Sequence, residues 1–518
     1  MSSLPSPDFL VTATGSTTPR RIADRFALEN NILDFGGSGN GVIDNLAPLN
    51  ALLAALPAAG GTVRFPAGRF RVSALVSYTF PNGPCRIVFL GEGQGVTELV
   101  WPNAAGGLSF TWSNQENAIA FCGLSFTTQQ ASGGTAVKII NTGIYGGFQE
   151  ATQNLFDRCT FQGDGGTNAG YYWTVCVSIQ AVSYFAFTDC LLYGGVVAGT
   201  RVGTGVALSD YSGVITANFN FTDCSLIDLN IAIAPYNNPQ GISSSQSSFV
   251  DCNYGIWATG TVPQVGMQIE ACNMACFSSA IYTQNEVDDL QVIGNTFYVF
   301  DTTGTYPGIN LALTSRFTIN DNDFLAPAAT TSPAIRIGNN FGWSATIASN
   351  AIAGPFTTGI SLQAASSRIV VSGNSFGSTV GTNVVNAGSY NSIDEAMPWT
   401  PVLAFGGASV GITYAVQAGS FVKTAQMCVA TFRITLTNKG SSTGIATVTG
   451  VLFGTPTTAS GDIGYYTGMI SATGLTGYLG GGTWNFTIPG ATGIVAATDA
   501  NFTNSSDIIV TLTYPATP

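Results

Sequence analysis

A six-residue pattern of apolar and polar positions recurs ten times between Phe121 and Phe376. It reads apolar, any residue, turn residue, Cys or Asn, any residue, apolar. Its fourth position is held in order by Leu124, Cys159, Cys190, Cys224, Cys252, Cys272, Asn295, Asn322, Asn350 and Asn374. Repetition on this scale, with alternating runs rich in β-branched and aromatic residues, indicates stacked coils of strands. The pattern therefore predicts a parallel β-helix.

The step from one repeat to the next varies between 20 and 35 residues. A right-handed β-helix tolerates insertions at its turns, so the variable step favours that handedness. Because stacked turns lie about 4.8 Å apart, the Cys and Asn positions should form one interior column, in which Asn amides bond to each other and Cys packs as a small apolar residue. This spacing exceeds the Cβ separation of about 3.8 Å in a disulfide, so we expect reduced cysteines.

The chain divides into three predicted segments. Residues 1–32 form a polar N-terminal arm, residues 33–394 the β-helix, and residues 395–518 a domain of short alternating strands. The clearest helical pattern runs from Asn45 to Leu56, where it would cap the first turn and cover its unpaired strand edge. The predicted fold class is all-β: a right-handed parallel β-helix with a short N-terminal capping helix and a C-terminal β-sandwich-like domain.

Composition narrows the possible partners. Only 8% of the residues are charged, the net charge is −12, and the sequence contains no histidine. Such a chain repels nucleic acid phosphates and anionic membranes, so a neutral, hydroxyl-rich partner such as carbohydrate fits better. No apolar run is long enough to span a bilayer, and we expect no membrane insertion. Without histidine or a CxxC pair we expect no zinc site, and no metal or organic cofactor is required.

The text near the N-terminus carries a family resemblance. TGSTTPRRIADRFA is followed by DFGGSGNGVID, a short helical stretch and GGTVRFPAG, all between Thr14 and Ser73. These motifs resemble the start of phage tailspike and pectate-lyase-like β-helix proteins. The resemblance implies a virion tail protein whose arm contacts other phage tail proteins, made in the cytoplasm of the host bacterium. Where the family usually shows two acidic residues, this chain has Asp44 and Asn45, and a capping turn is the expected role of Asp44.

A second resemblance covers roughly Trp399 to Gly450. PWTPVLAFGGASVGITYAVQAGSFVKTAQMCVATFRITLTNKGSSTG looks like the C-terminal modules of phage tail fibres and tailspikes. Such modules trimerise or bind sugar, so the resemblance implies a homotrimer. The residues themselves show only a compact, strand-rich unit with uncharged glycine turns.

Without histidine, carboxylates are the versatile acids and bases left for catalysis. A glycosidase needs two carboxyl groups about 5 to 9.5 Å apart, which one or two stacked turns supply. The candidate catalytic residues are Glu270, Asp210, Asp228, Glu286 and Asp288. In contrast, Asp189, Asp223 and Asp251 directly precede the column and are interpreted as tight-turn residues.

Residues two and four positions before the column should point outward and form a flat face rich in Thr, Asn and Gln. Such a face suits sugar hydroxyls, although it also suits plain solvation, and Glu270 is the carboxylate that stands out on it. The candidate substrate-binding residues are Gln268, Gln291, Tyr172, Trp173, Tyr211 and Trp257. Asp289 and Arg316 each lie six residues before an Asn of the column, so we expect an ion pair between adjacent turns.

These observations predict a tailspike-like receptor-binding protein that recognises a bacterial surface polysaccharide and hydrolyses it with paired carboxylates. A first alternative is an adhesive or structural tail component that binds glycan without cleaving it. A second is a polysaccharide lyase in which Arg201 or a Tyr abstracts a proton. The acidic net charge disfavours a polyuronate ligand for that lyase.

Overall fold

The structure is a computed structural model that describes residues 10–11, 20–21, 29–113, 116–143, 154–424, 427–450 and 458–515. Chain contacts divide it into two compact units. Unit 1 comprises Met1–Arg336 and Ala353–Pro355, and unit 2 comprises Ile337–Ile352 and Phe356–Pro518. Most of the predicted arm of residues 1–32 lies outside the described residues, and the division between residues 394 and 395 stays a prediction.

Unit 1 is a coil of short strands in which each turn supplies one strand to each of three parallel sheets. Sheet 1 contains Val76–Thr79, Gly106–Trp112, Gly134–Asn141, Val175–Gln180, Thr204–Ser209, Ile231–Tyr236, Tyr254–Ala258, Ile281–Thr283 and Ile309–Leu313. Sheet 2 contains Glu29–Asn31, Gly60–Arg64, Arg86–Leu90, Ala118–Cys122, Asn154–Asp157, Phe185–Thr188, Thr216–Thr222, Pro239–Ser245, Gln264–Glu270, Val287–Ile293 and Phe317–Asn320. Sheet 3 contains Asn40–Asp44, Gly68–Arg71, Thr97–Trp101, Ser125–Thr128, Thr160–Gly163, Leu191–Tyr193, Ser225–Ile227, Ser248–Cys252, Asn273–Cys276, Thr296–Val299 and Asp323–Leu325.

Like side chains stack along the interior of sheet 2. Phe121 pairs in register with Phe156, Phe156 with Phe187, and Phe187 with Phe221. Their ring centroids lie 4.9, 4.9 and 4.7 Å apart, and all four side chains are fully buried. A slip of one residue would turn such a column towards solvent, so burial fixes the register. The parallel stacking confirms the predicted right-handed β-helix fold.

The interior column departs from its prediction at one position. After Cys224 the next member is Ser247, whose Oγ accepts a hydrogen bond of 3.1 Å from the Cys224 amide. Placing Cys252 in this column was wrong, because Cys252 ends a sheet 3 strand and its thiol faces the Leu226 carbonyl. Phe249 accordingly pairs with Leu226 in sheet 3. All ten cysteines of the chain are free thiols.

Asparagine amides continue the column and bond from turn to turn. The Asn295 amide donates to the Ile269 carbonyl at 2.9 Å and accepts from the Cys272 amide nitrogen at 2.9 Å. The residue before each column position is left-handed, with φ between 48° and 66° at Gly123, Arg158, Asp189, Asp223, Gln246, Ala271, Gly294 and Asp321. Asp251 has the same conformation, with a φ of 55°. These angles confirm that Asp189, Asp223 and Asp251 are turn residues.

The predicted capping helix is Leu46–Ala54, which buries Leu49, Leu52 and Leu53. Asp44 lies directly before this helix and accepts hydrogen bonds from the amides of Leu46 at 3.1 Å and Ser73 at 3.0 Å. Burial raises the pKa of Asp44, but the bonds from Ser73 and Leu46 outweigh burial and lower the pKa below its usual value. Asp44 therefore has the capping role expected of it.

Unit 2 begins with further parallel strands and continues into antiparallel ones. Its parallel strands are Ala345–Ala348, Thr358–Leu362, Ile369–Ser372, Ser375–Phe376 and Thr382–Asn386, while Ile335–Asn339 and Ala351–Ala353 contain residues of both units. Ser392–Trp399 pairs in parallel with Ile369–Ser372 and antiparallel with Ile412–Lys423. The remaining antiparallel strands are Val402–Phe405, Met427–Lys439, Ala446–Thr449, Ala459–Met469, Thr476–Gly480, Thr483–Gly490, Gly493–Ala496 and Phe502–Pro515.

These antiparallel strands enclose an aromatic core. The Phe502 ring meets Phe405 and Phe486 edge to face, with centroids 5.1 and 5.6 Å apart, and Trp484 meets Phe486 at 6.1 Å. All four side chains are buried. Rings packed between strands in this way give the antiparallel strands an apolar core of their own, in agreement with the predicted all-β fold.

The remaining elements are short. They are the strands Leu10–Val11, Arg20–Arg21, Gly195–Val197 and Thr200–Val202 and the 3₁₀ helices Ile32–Phe35, Thr167–Ala169 and Asp499–Asn501. Among the residues that the structure describes, no helix combines the length and apolar character needed to cross a membrane.

Candidate functional site

The outward side of sheet 2 in unit 1 carries two adjacent columns of polar side chains, here called the polar face. One column contains Asn220, Ser243, Gln268, Gln291 and Thr318. The other contains Asp157, Thr188, Thr222, Ser245, Glu270 and Asn320, with Ile293 between the last two. The alternation of inward apolar and outward polar residues produces both columns. Ser243 takes the position expected for Ser248, which lies in sheet 3. Hydroxyl and amide groups of this kind can both donate to and accept from sugar hydroxyls.

A column of bulges bends the strands beside the polar face. Asn218, Gly241, Gly266 and Asp289 lie at matching positions of successive strands and are all left-handed, with φ between 61° and 71°. A bulge locally kinks a strand and re-aims its side chains. Gly241, Gly266 and Asp289 line a surface depression of about 240 Å³ together with Ser243, Gln268 and Gln291. The bulges thus open a concave site next to the polar face.

Sequence reasoning missed Gly241, Gly266 and Ser243 as site residues, although a signal was present. The four bulge residues follow each other at steps of 23, 25 and 23 residues, and each directly precedes an inward apolar residue. Asn, Gly, Gly and Asp are also the residue types that adopt positive φ most easily. A repeated left-handed residue inside a strand pattern indicates a bulge.

Glu270 lies on the polar face beside Gln268, whose Nε2 donates to Glu270 Oε1 at 2.5 Å. Its neighbours across the sheet are Ser245 and Ile293, neither of which is acidic. Asp289 lies on the next strand, four positions before Ile293, and lines the depression beside the polar face. Glycosidase carboxyls lie about 5 to 9.5 Å apart, and the residues paired with Glu270 across the sheet supply no second carboxyl.

Asp288 forms a two-bonded ion pair with Arg316 in the next turn, with nitrogen-to-oxygen distances of 3.0 and 2.9 Å. The expected pairing of Arg316 with Asp289 was therefore wrong by one residue. The Arg316 guanidinium holds the pKa of the Asp288 carboxyl below its usual value. A carboxylate that is ionised and occupied in this way is poorly suited to act as a general acid.

The other candidate carboxylates lie apart from the polar face and have partners or turn positions of their own. Glu286 accepts a hydrogen bond from the Ser315 hydroxyl. Asp228 lies 3.9 Å from Arg201, whose guanidinium also stacks over the Phe277 ring at 3.7 Å. Asp210 precedes the Thr216–Thr222 strand, whereas Glu270 ends its own strand. The structure thus brings Glu270, Gln268 and Gln291 together and does not bring these carboxylates to them.

Among the aromatic candidates, Trp173 is fully buried, and its Nε1 donates to the Phe126 carbonyl at 3.0 Å. The proposal that Trp173 stacks on a sugar was therefore wrong, because this ring fills the core. Tyr172 is half-buried near Gly195, whereas Tyr211 is 39% exposed at the corner before sheet 2.

Trp257 lies on the outward side of sheet 1 within an aromatic cluster. Its ring centroid is 4.5 Å from that of Tyr254 and 5.8 Å from that of Tyr282. Burial, together with Tyr306, raises the pKa of Tyr254 to about 12. Trp257 consequently belongs to a different surface from Glu270.

Comparison with solved structures identifies proteins that have a similar architecture. The chain is similar to the Dettilon tailspike protein (gp208), with a TM-score of 0.52 and 12% identity over 95% of each chain. The chain has the right-handed β-helix fold of these tailspike proteins. A double mutant of the tailspike protein of E. coli bacteriophage HK620 matches with a TM-score of 0.51 and 12% identity, over 97% of this chain and 96% of the other. At such identity the similarity to tailspikes establishes the fold.

The sequence comparisons add less about this tailspike-like chain. A family model described as periplasmic copper-binding protein (NosD) matches residues 192–397, less than half of the chain. No curated protein matches the chain. The matched residues include many of the repeated strands of the tailspike-like coil.

Proposed function

We propose that the chain is a receptor-binding protein of a phage tail, and that it binds a bacterial surface polysaccharide along the polar face. The observation that carries this proposal is the row of Gln, Asn, Ser and Thr side chains beside the bulged depression. The similarity of fold to two tailspikes supports the same reading. A long, flat face with repeated hydrogen-bonding groups matches a polymer whose own groups repeat.

Binding is the activity that this geometry supports best. Gln268, Gln291 and Ser243 supply donors and acceptors without net charge, which suits the hydroxyl groups of neutral sugars. On the polar face itself, the described residues place no second carboxyl next to Glu270, because its partners across the sheet are Ser245 and Ile293 and Asp157 lies four turns away in the same column. Cleavage of the polysaccharide, by hydrolysis or by a lyase reaction, is therefore measured alongside binding.

Copper chemistry does not fit the residues of this chain. The sequence has no histidine, and no group of three or more acidic or cysteine side chains among the described residues is placed to hold a metal ion. A thiol must lose its proton to ligate a metal, and burial raises the pKa of Cys252 to about 12.

The first experiment compares binding of the wild-type protein and the Gln268→Ala, Gln291→Ala double variant to surface polysaccharide from candidate host bacteria. Loss of two hydrogen-bonding side chains should weaken binding at least tenfold in surface plasmon resonance, since each bond contributes about 1 kcal/mol. Gln180→Ala is the matched control, because Gln180 also points outward but lies on sheet 1. Equal binding by the double variant and the wild type would refute the polar face as the binding site.

The same incubations report whether the polysaccharide is cleaved. New reducing ends without unsaturated products indicate hydrolysis, and Glu270→Gln would then be tested for loss of activity. Reducing ends together with the ultraviolet absorbance of unsaturated uronates indicate a lyase. Binding with neither signal supports an adhesive receptor-binding protein.

We also propose that the tailspike-like chain assembles as a homotrimer whose residues 1–32 attach to other tail proteins. The resemblance of Trp399 to Gly450 to tail-fibre modules supports the trimer. Light scattering should give three times the chain mass of 53.6 kDa. A mass equal to one chain at micromolar concentration would refute the trimer. Deletion of residues 1–28, which spares the sheet 2 strand Glu29–Asn31, should leave polysaccharide binding unchanged.

A further inference from the structure

Three exposed aromatic side chains and one arginine lie on one corner of unit 2. Phe341, Trp343 and Tyr390 are 49, 57 and 52% exposed, and Arg368 is exposed as well. The corner consists of residues 340–344, 363–368 and 387–391, which connect successive strands of the coil. Three large aromatic groups on neighbouring turns form an exposed apolar patch, and such patches mark contact sites.

The first segment of this corner is held rigidly. Asn340 is fully buried, and its amide donates to the carbonyl oxygens of Trp343 at 2.8 Å and Ser367 at 2.6 Å. The Asn340 side-chain oxygen in turn accepts from the Ser367 amide at 2.8 Å. A buried Asn that ties two segments together fixes the path of the backbone between them. Trp343 is thus presented to solvent from an ordered turn.

The backbone of the corner is also strained. Phe341, Arg368 and Tyr390 have φ values of 49°, 56° and 56°. Bulky non-glycine residues rarely adopt this region, although corners of this coil also use it at Arg158 and Tyr184. Glycine or asparagine would satisfy these turns at lower cost, so the large side chains are not explained by the turns themselves.

Arg368 links the aromatic residues. Its Nη1 donates to the Gly342 carbonyl at 3.3 Å, between Phe341 and Trp343 in sequence. Its backbone nitrogen lies 3.4 Å from the Ser389 carbonyl, which places Arg368 one turn from Tyr390. Among the described residues no carboxylate lies within ion-pairing distance of Arg368. An exposed, unpaired guanidinium in a chain of net charge −12 is a local positive site.

We propose that this corner binds a carboxylate-bearing sugar. The flat rings of Trp343 and Tyr390 offer apolar surfaces for the sugar ring, and the Arg368 fork matches a carboxylate with two parallel hydrogen bonds. The corner therefore selects an acidic residue of a glycan, whereas the polar face of unit 1 selects neutral hydroxyls. The inference stands on unit 2 alone and does not depend on the polar face.

The test uses the full chain on a microarray of bacterial surface oligosaccharides. The probes include uronate-containing oligosaccharides, each beside a counterpart whose carboxylates have been reduced to alcohols. Wild-type protein should bind uronate probes at least tenfold more tightly than their reduced counterparts, and increasing salt should narrow the difference. Arg368→Gln and Trp343→Ala should each lower the affinity for the uronate probes at least tenfold.

Two controls separate this site from the polar face and from a general charge effect. Arg316→Gln removes the same charge from an exposed arginine that is already paired with Asp288, and it should leave uronate binding unchanged. The Gln268→Ala, Gln291→Ala variant should also retain it, so failure of the polar face and failure of the corner give different results.

Several results would overturn the proposal. Uronate binding that is absent, insensitive to carboxyl reduction or unchanged in Arg368→Gln would exclude an acidic-sugar site here. A fall in oligomer mass for Trp343→Ala, without any loss of uronate binding, would show that the corner contacts a second copy of the chain instead. Thermal unfolding of each variant confirms that the exposed substitutions leave the fold intact.

Discussion

Replacing Phe156 by alanine is expected to lower the free energy of unfolding by about 4 kcal/mol. The Phe156 ring is fully buried and stacks between Phe121 and Phe187, with both centroids 4.9 Å away. It also meets Phe161 edge to face at 5.9 Å. Truncation leaves a cavity bounded by stacked turns that cannot close up, because each turn is hydrogen-bonded to the next. Guanidinium unfolding followed by tryptophan fluorescence measures the change.

The control for Phe156 is a pair of milder substitutions. Phe156→Leu keeps most of the volume and should cost about 1 to 1.5 kcal/mol. Tyr171→Ala removes an aromatic ring that is 39% exposed, and its effect should stay within about 0.5 kcal/mol. If Phe156→Ala costs less than about 1 kcal/mol, the column repacks around the gap and stacking does not fix the register.

The phenylalanine column was predictable because a buried apolar residue recurs once in every turn of the coil. The membership of the Cys and Asn column was not fully predictable. Phe221 to Cys224 and Phe249 to Cys252 both read apolar, any residue, Asp, Cys. The two aspartates have almost the same conformation, with φ of 54° at Asp223 and 55° at Asp251. The first pair closes a sheet 2 strand and the second closes a sheet 3 strand. Identical local chemistry at two corners cannot tell which corner a repeat occupies.

The ion pair of Arg316 is a second case in which the sequence pattern predicted the wrong neighbour. If the strand alternated regularly, Asp289 would point outward, beside Arg316 of the neighbouring turn. Asp289 is instead left-handed, with φ of 61°, and this bulge shifts the alternation by one residue. Asp288 consequently meets Arg316. The outward position of Gln268, Glu270 and Gln291 was predictable because these residues lie after the bulge, where the strand is regular again.

The sequence predicted least well which carboxylates on different turns lie close together. The pattern singled out Glu270 on the outward face, and it gave Asp210 as a loop candidate and Glu286 as a turn candidate. Which of them meet depends on which end of the strand each occupies and how many turns intervene. That information comes from the full register of the coil, and it leaves Glu270 with amide and hydroxyl neighbours.

Asp301→Ala is expected to cost about 3 kcal/mol of stability, the second largest effect. Asp301 is only 7% exposed, and its carboxylate organises the loop that follows it. It accepts hydrogen bonds from the amides of Thr303, Thr305 and Tyr306 at 3.0, 3.0 and 2.9 Å and from the Ser332 hydroxyl at 2.7 Å. Alanine leaves these donors without their acceptor, and each unsatisfied buried group costs about 1 to 3 kcal/mol before the loop relaxes.

The same carboxylate makes stability depend on pH. Burial raises its pKa, but hydrogen bonds from Ser332, Tyr306 and Thr303 outweigh burial and lower the pKa to about 2, against an ordinary value of 3.8. A carboxyl whose pKa is lower in the folded state stabilises the fold above the ordinary value and loses that contribution as pH falls through the folded one. Acidification from about pH 5 to about pH 2 should therefore remove about 2 kcal/mol.

Asp301→Asn isolates this contribution, because asparagine keeps the shape and one acceptor oxygen but does not titrate. The stability difference between wild type and Asp301→Asn should be largest near neutral pH and shrink by about 2 kcal/mol at about pH 2. Denaturant midpoints at both pH values, followed by tryptophan fluorescence, measure it. A difference that is the same at both pH values would show that the charge of Asp301 is not what holds the loop.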